Sequence, residues 1–112
     1  MSEIVIIPSN EFRRQAKRLA KKYRSLANDL VRFQQELQDN PFIGVDLGDG
    51  KRKIRLQVAS KGKGKSGGMR VITFNVVKAE TTITVYLITL YDKSEYQDVS
   101  DKYVDQVIKG LK

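Results

Sequence analysis

Basic side chains recur at short spacing through the middle of the chain. Lys51, Lys53 and Arg55 occupy alternate positions, and three further lysines alternate with glycine in the stretch ASKGKGKSGG, residues 59–68. Arg70 follows two residues later. Ammonium and guanidinium groups form short, strong hydrogen bonds with phosphate oxygens. The pattern therefore predicts a positive surface that favours an anionic ligand such as phosphate.

The composition restricts which chemistry these residues can serve. The 112 residues include 21 Lys+Arg against 13 Asp+Glu, a formal charge of +8, with no histidine and no cysteine. Ser-His-Asp and Cys-His nucleophiles are excluded, as are His- or Cys-ligated metal sites. Chemistry must use Lys, Arg, Tyr or carboxylates, and the charge favours a polyanionic partner: RNA, DNA, an acidic lipid surface or an acidic protein.

The compartment is predicted from what the sequence lacks. Absence of cysteine fits a reducing cytosol. The N-terminal run MSEIVIIPSN reads as a strand rather than a signal peptide, and no apolar run approaches the length of a membrane span. We expect a cytoplasmic protein without a membrane partner.

The glycine-lysine stretch loosely matches a nucleotide-binding P-loop. A P-loop must leave a strand and enter a helix, because the helix N-terminus holds the phosphates. The residues after Ser66 read GGMRVITF and predict another strand. We therefore expect no nucleotide cofactor, and interpret the stretch as a loop between the strand carrying Lys53 and Arg55 and the strand beginning at Arg70. Cross-strand neighbours approach to about 5 Å, so all these cations, loop lysines included, are expected on one positive surface.

Hydrophobic periodicity predicts the elements that must position this surface. An apolar stripe at helical spacing follows Ser9, a second follows Ser25 and ends near Asn40-Pro41, and strand-like alternation begins after a turn-rich connector, residues 44–50. The basic residues of the first helix lie opposite its apolar stripe, as on an ordinary solvated face. The predicted strands are Glu3–Ile7, Lys51–Val58, Met69–Val77 and Thr81–Tyr91, Lys78-Ala79-Glu80 joins the last two as a hairpin, and a last helix begins near Ser100. The prediction is one α+β domain, residues 1–112, of order β-α-α-β-β-β-α: a two-helix hairpin on a mainly antiparallel sheet of about four strands, with a C-terminal helix.

Three motifs in this order resemble a known family. RKIR and KGKGKSGGMR fall within residues 50–74, and LITLYDKSE within residues 86–100. They resemble the HigB branch of the RelE/ParE superfamily of bacterial toxins. The resemblance implies a RelE-like fold that enters the ribosomal A site and cuts the mRNA there without a metal or other cofactor. It also implies neutralisation by a cognate antitoxin, often with a helix-turn-helix module.

The resemblance also implies roles for individual residues. Lys53 and Arg55 match a basic pair that contacts or polarises the substrate, Arg70 the phosphate stabiliser, and Lys93 a proton donor. Further lysines are expected to grip RNA phosphate: Lys51, Lys61, Lys63 and Lys65. Some relatives carry a tyrosine where this chain has Val99. Tyr91 and Tyr96 lie nearby but out of register, so the general base is unassigned.

Two other functions remain open on the sequence. A gyrase-inhibiting toxin of the ParE type would share the fold and act as a protein-interaction inhibitor. A catalytically inactive relative would only bind nucleic acid or an acidic partner. The basic strand face favours RNA, but fold alone does not decide function.

Overall fold

Eight regular elements build the chain in the computed structural model, which describes residues 3–62, 67–78 and 81–111. In chain order they are β1 (Glu3–Pro8), α1 (Asn10–Lys22), α2 (Leu26–Asp39), β2 (Val45–Gly48), β3 (Lys51–Leu56), β4 (Met69–Lys78), β5 (Thr82–Asp92) and α3 (Asp101–Lys109). A single 3-10 turn, Ala59–Lys61, follows β3. The predicted α+β class and its three helices are confirmed, whereas the RelE-like topology stays a prediction.

The sheet has five strands in the order β1-β5-β4-β3-β2. β1 runs parallel to β5, and the other neighbours are antiparallel. The mainly antiparallel sheet is therefore confirmed, but the expected number of about four strands and the order with three strands after the helices are wrong. The extra strand is β2, part of the segment predicted as a connector. Ala79 and Glu80 of the predicted hairpin turn lie outside the described residues.

Hydrophobic periodicity does not predict the strand β2, because none of its side chains is buried. Its backbone pairs with β3, Val45 opposite Lys53 and Asp46 opposite Arg52. The reversal into β3 uses left-handed backbone at Gly48, Asp49 and Gly50, with φ of 89°, 55° and 83°. Glycine adopts such φ values without the steric cost that a Cβ imposes, so this stretch is both a turn and the end of a strand.

The two helices α1 and α2 cover one face of the sheet, as the apolar stripes predict. Ser9 caps α1 by accepting a hydrogen bond from the Phe12 amide at 3.0 Å, and its hydroxyl donates to the Ile88 carbonyl at 2.7 Å. The main core then forms between the helices and every second residue of the central strands. Its buried members include Leu19, Leu26, Phe33, Leu37, Ile54, Leu56, Met69, Val71 and Leu87.

The helix α3 packs on the opposite face. Val104 joins Ile72, Ile88 and Tyr91 in a second, smaller apolar cluster. Because strand side chains alternate between faces, the residues between the main-core positions of β3 and β4 point toward the α3 side. No helix in the described ranges is long and apolar enough to cross a membrane.

Candidate functional site

A line of polar side chains crosses the centre of the sheet on the α3 side. Arg55 of β3 lies opposite Arg70 of β4, and Arg70 lies opposite Tyr91 of β5. Directly opposed residues on neighbouring strands hold their Cβ atoms about 5 Å apart. The sheet therefore brings together three residues that are far apart in the sequence.

The opposed arginines carry like charges on the same face of the sheet. Arg55 is exposed, whereas only 6% of Arg70 is accessible. Arg70 donates to the carbonyl of Met69 at 3.2 Å. Like charges opposite one another on a sheet are destabilising, and a partly desolvated guanidinium interacts strongly with an anion. The pair is suited to bind a phosphate.

Tyr91 completes this line. Its side chain is buried, and its hydroxyl donates to Asp98 Oδ1 at 3.3 Å. Burial, together with the negative charge of Asp98, raises the pKa of Tyr91 to about 12. The hydroxyl is therefore protonated near neutral pH, which suits it to donate a hydrogen bond or a proton rather than to act as a base.

Two lysines of β3 lie on the same side as Arg55. The Nζ of Lys53 is 2.9 Å from Asp98 Oδ1, and the Nζ of Lys51 is 3.0 Å from Asp105 Oδ1. The hydrogen bond from Lys53 holds the pKa of Asp98 below its usual value, against a smaller effect of burial. In the second pair, the hydrogen bond to Asp105 raises the pKa of Lys51. We call the surface formed by Lys51, Lys53, Arg55 and Arg70 the basic face.

Lys61 lies elsewhere. Its ammonium donates to Asp92 and stands 5.1 Å from the centre of the Tyr23 ring, on the side of the sheet covered by α1. Both partners are almost fully buried, with side-chain exposures of 6% for Lys61 and 0% for Asp92. The expected convergence of Lys61 with Arg70 is therefore not seen. Lys63 and Lys65 lie outside the described residues.

Asp92 explains why Lys61 turns inward. Burial alone would raise the pKa of this carboxyl, but hydrogen bonds from Lys61, Tyr23 and Ser94 outweigh it and hold the pKa well below its usual range. The Tyr23 hydroxyl donates at 2.6 Å. This buried ion pair, with the hydrogen bond from Tyr23, ties Lys61 at the start of the loop to α1 and to the end of β5.

Lys93 and Tyr96 lie on the turn that follows β5. Lys93 is exposed and its Nζ donates to the Gln97 carbonyl at 3.5 Å. Glu95, on the same turn, pairs with Arg18 of α1 at 3.0 Å. Tyr96 is 55% exposed. Neither side chain is in the line formed by Arg55, Arg70 and Tyr91, although both are close in sequence to Tyr91.

A cleft of about 410 Å³ opens beside Tyr91, between α1 and the segment that leads into α3. Tyr96, Asp98 and Tyr103 contribute to its lining. The Tyr103 hydroxyl donates to Glu11, and burial together with this bond raises the pKa of Tyr103 to about 12. Three tyrosines and Asp98, the partner of Lys53, therefore share one cleft.

Sequence reasoning missed Asp98 and Asp105. The segment YQDVSDKYVDQ contains three aspartates, and only the docking of α3 on the sheet decides which of them reach β3. Val99, in the position where some relatives of the resembled family carry tyrosine, packs against the apolar cluster around Ile72.

The chain matches no protein-family model. Within the described ranges, no group of three or more His, Cys, Asp or Glu residues is placed to hold a metal ion. The residues of the basic face can bind phosphate and stabilise charge on it, and Tyr91, which lies opposite Arg70, can donate a proton.

Proposed function

We propose that the chain is the toxin of a type II toxin-antitoxin module, an endoribonuclease that cuts mRNA in the ribosomal A site, in the cytoplasm. The observation that carries the proposal is the adjacency of Arg55, Arg70 and Tyr91 across three strands. Cleavage by the 2′-OH of the RNA needs a base, groups that stabilise negative charge on the phosphate, and a proton donor for the leaving oxygen. The two guanidinium groups supply the second and the protonated hydroxyl supplies the third. The ribosome, the mRNA and the antitoxin are proposed as partners because the motif resemblance described above implies them.

The proposed reaction is an in-line transfer within the RNA. The 2′-OH loses its proton and its oxygen bonds to the adjacent phosphorus, and the bond from phosphorus to the 5′-oxygen breaks. Arg70 and Arg55 stabilise the extra negative charge of the phosphorane by charge-assisted hydrogen bonds. Tyr91 protonates the departing 5′-oxygen, with Lys93 as the second candidate. The general base is left unassigned, and the ribosome positions the RNA.

Mapping of mRNA 5′ ends after induced expression tests this proposal. We expect new 5′ ends within translated regions, phased with codons, and absent from transcripts without ribosomes. Intact transcripts accompanied by a DNA-damage response would contradict the proposal and favour a gyrase-directed toxin. Growth arrest relieved by co-expression of the protein encoded next to the gene would identify the antitoxin.

A further inference from the structure

Two carboxylates of the chain itself lie on the basic face. Asp98, in the segment before α3, pairs with Lys53 at 2.9 Å, and Asp105 of α3 pairs with Lys51 at 3.0 Å. The carboxylates are more exposed than the ammonium groups: 57% and 52% for the aspartates against 26% and 12% for the lysines. The acidic partners thus lie outermost, where an approaching polyanion meets them first.

In each of these two ion pairs, an RNA phosphate can replace the carboxylate. Ion pairs with an exposed partner contribute little to stability, because water and salt screen them. A phosphodiester carries one negative charge on oxygen acceptors, as a carboxylate does, so it can take the same position on an ammonium group. Lys51 and Lys53 are alternate residues on one side of β3, about 7 Å apart along the strand, a separation that neighbouring phosphates of an extended single strand can match.

We propose that Asp98 and Asp105 are internal competitors for RNA, occupying at Lys53 and Lys51 the positions that two RNA phosphates take in the complex. The free chain then binds polyanions more weakly than its charge of +8 alone would predict. The weakening protects against non-specific nucleic acid, while a properly placed RNA displaces both carboxylates. The inference rests on the proposed function only in taking RNA as the polyanion.

A binding titration tests the competition. The probe is a labelled 2′-O-methyl oligouridylate, which lacks the nucleophile, followed by fluorescence anisotropy at several salt concentrations. The test variant is Asp98→Asn/Asp105→Asn. The control, Glu36→Gln/Asp39→Asn, changes net charge equally but lies on α2, across the sheet from the basic face.

We expect the test variant to bind about tenfold more tightly than wild type near 0.1 M salt, where internal ion pairs are only partly screened. The advantage shrinks as salt rises, because salt weakens the competing pairs in wild type. The control gains much less. A second measurement separates displacement from a general field effect: Lys53→Gln should cost more affinity in the Asp98→Asn background than in wild type.

The outcomes are distinct. Equal binding by the test variant and either wild type or the control would overturn the competition while leaving RNA binding intact. Additive effects of Lys53→Gln and Asp98→Asn would also overturn it. If no form bound the oligonucleotide at any salt concentration, both this inference and the RNA substrate of the proposed function would be contradicted. Binding by the test variant alone would support the competition.

Discussion

At the scale of single residues, Tyr91 is the group whose role depends most on its surroundings. It is buried next to Arg70 and its pKa is raised to about 12, so it holds its proton at any physiological pH. A tyrosine in that state serves the proposed cleavage only by donating. Proton donation by the Tyr91 hydroxyl is therefore the most specific chemical claim of the proposed mechanism.

Removal of that hydroxyl tests the claim. We expect Tyr91→Phe to lower the cleavage rate at saturating ribosome complex by about 100-fold or more, the usual contribution of a general acid, with little change in binding. Tyr103→Phe is the matched control, because it removes a hydroxyl that is bonded to Glu11 and has a similarly raised pKa. Single-turnover cleavage measures both. A wild-type rate for Tyr91→Phe would remove the residue from the mechanism.

Lys61 provides a second test at this scale, of stability rather than activity. Lys61→Met leaves the buried Asp92 without its cation, and breaking a buried pair in this way costs about 3–5 kcal/mol. Lys17→Met, on the exposed side of α1, should cost less than about 0.5 kcal/mol. Urea unfolding of the two variants gives the comparison. Equal, small costs would show that the ion pair with Asp92 contributes little.

Residue-level prediction from sequence succeeded where alternation alone fixes the direction of a side chain. The strand pattern KRKIRL and the short loop were enough to place Arg55 and Arg70 on one face. Lys61 could not be placed, because the loop turns back toward α1 and a buried carboxylate captures its ammonium. Asp98 and Asp105 were missed since their positions depend on how α3 docks.

At the scale of elements, periodicity was informative only where a face is buried. The helices and the strands β3, β4 and β5 carry apolar residues at regular spacing and were predicted close to their observed ends. The edge strand β2 carries none that is buried, so its sequence resembles a turn. Backbone pairing with β3, rather than side-chain burial, holds this strand in place.

Gly44, the residue just before β2, lies close to the backbone of Lys53 in β3, and this contact gives a prediction for the pairing of the two strands. Its φ is 90°, and a Cβ there would overlap the carbonyl oxygen of Lys53. Gly48 has a similar φ of 89° but open space around it. We expect Gly48→Ala to cost about 1–2 kcal/mol from backbone strain, and Gly44→Ala distinctly more. Chemical denaturation measures both, and equal costs would contradict the close approach.

At the scale of the whole molecule, positive charge is present on both sides of the sheet. The exposed face of α1 is basic, and so is the sheet face opposite it. Composition could predict a polyanionic partner but not which surface meets it. The two surfaces differ in the part of the chain that the structure describes, because there only the sheet face combines a buried arginine, Arg70, with a buried tyrosine, Tyr91.

Salt dependence separates these surfaces. Binding to ribosomes should weaken as salt rises, since phosphate contacts release counterions. Lys53→Gln/Arg55→Gln should reduce the magnitude of the slope of log affinity against log salt by about 1.4, which is roughly 0.7 for each phosphate contact with a single strand. Lys17→Gln/Lys21→Gln on α1 removes the same charge and should change the slope less. A larger change from the α1 variant would assign RNA binding to that helix.

The most direct test of the account is cleavage of a defined mRNA on purified ribosomes by Arg70→Ala. The control is Arg13→Ala, which removes one exposed arginine from α1, and circular dichroism establishes that both variants are folded. The account predicts that wild type and Arg13→Ala cut the mRNA in the A site at similar rates. Folded Arg70→Ala should lose at least about 100-fold in rate, as expected when a charge-stabilising donor is removed. Undiminished cutting by folded Arg70→Ala would contradict the central claim that the basic face is the site of cleavage.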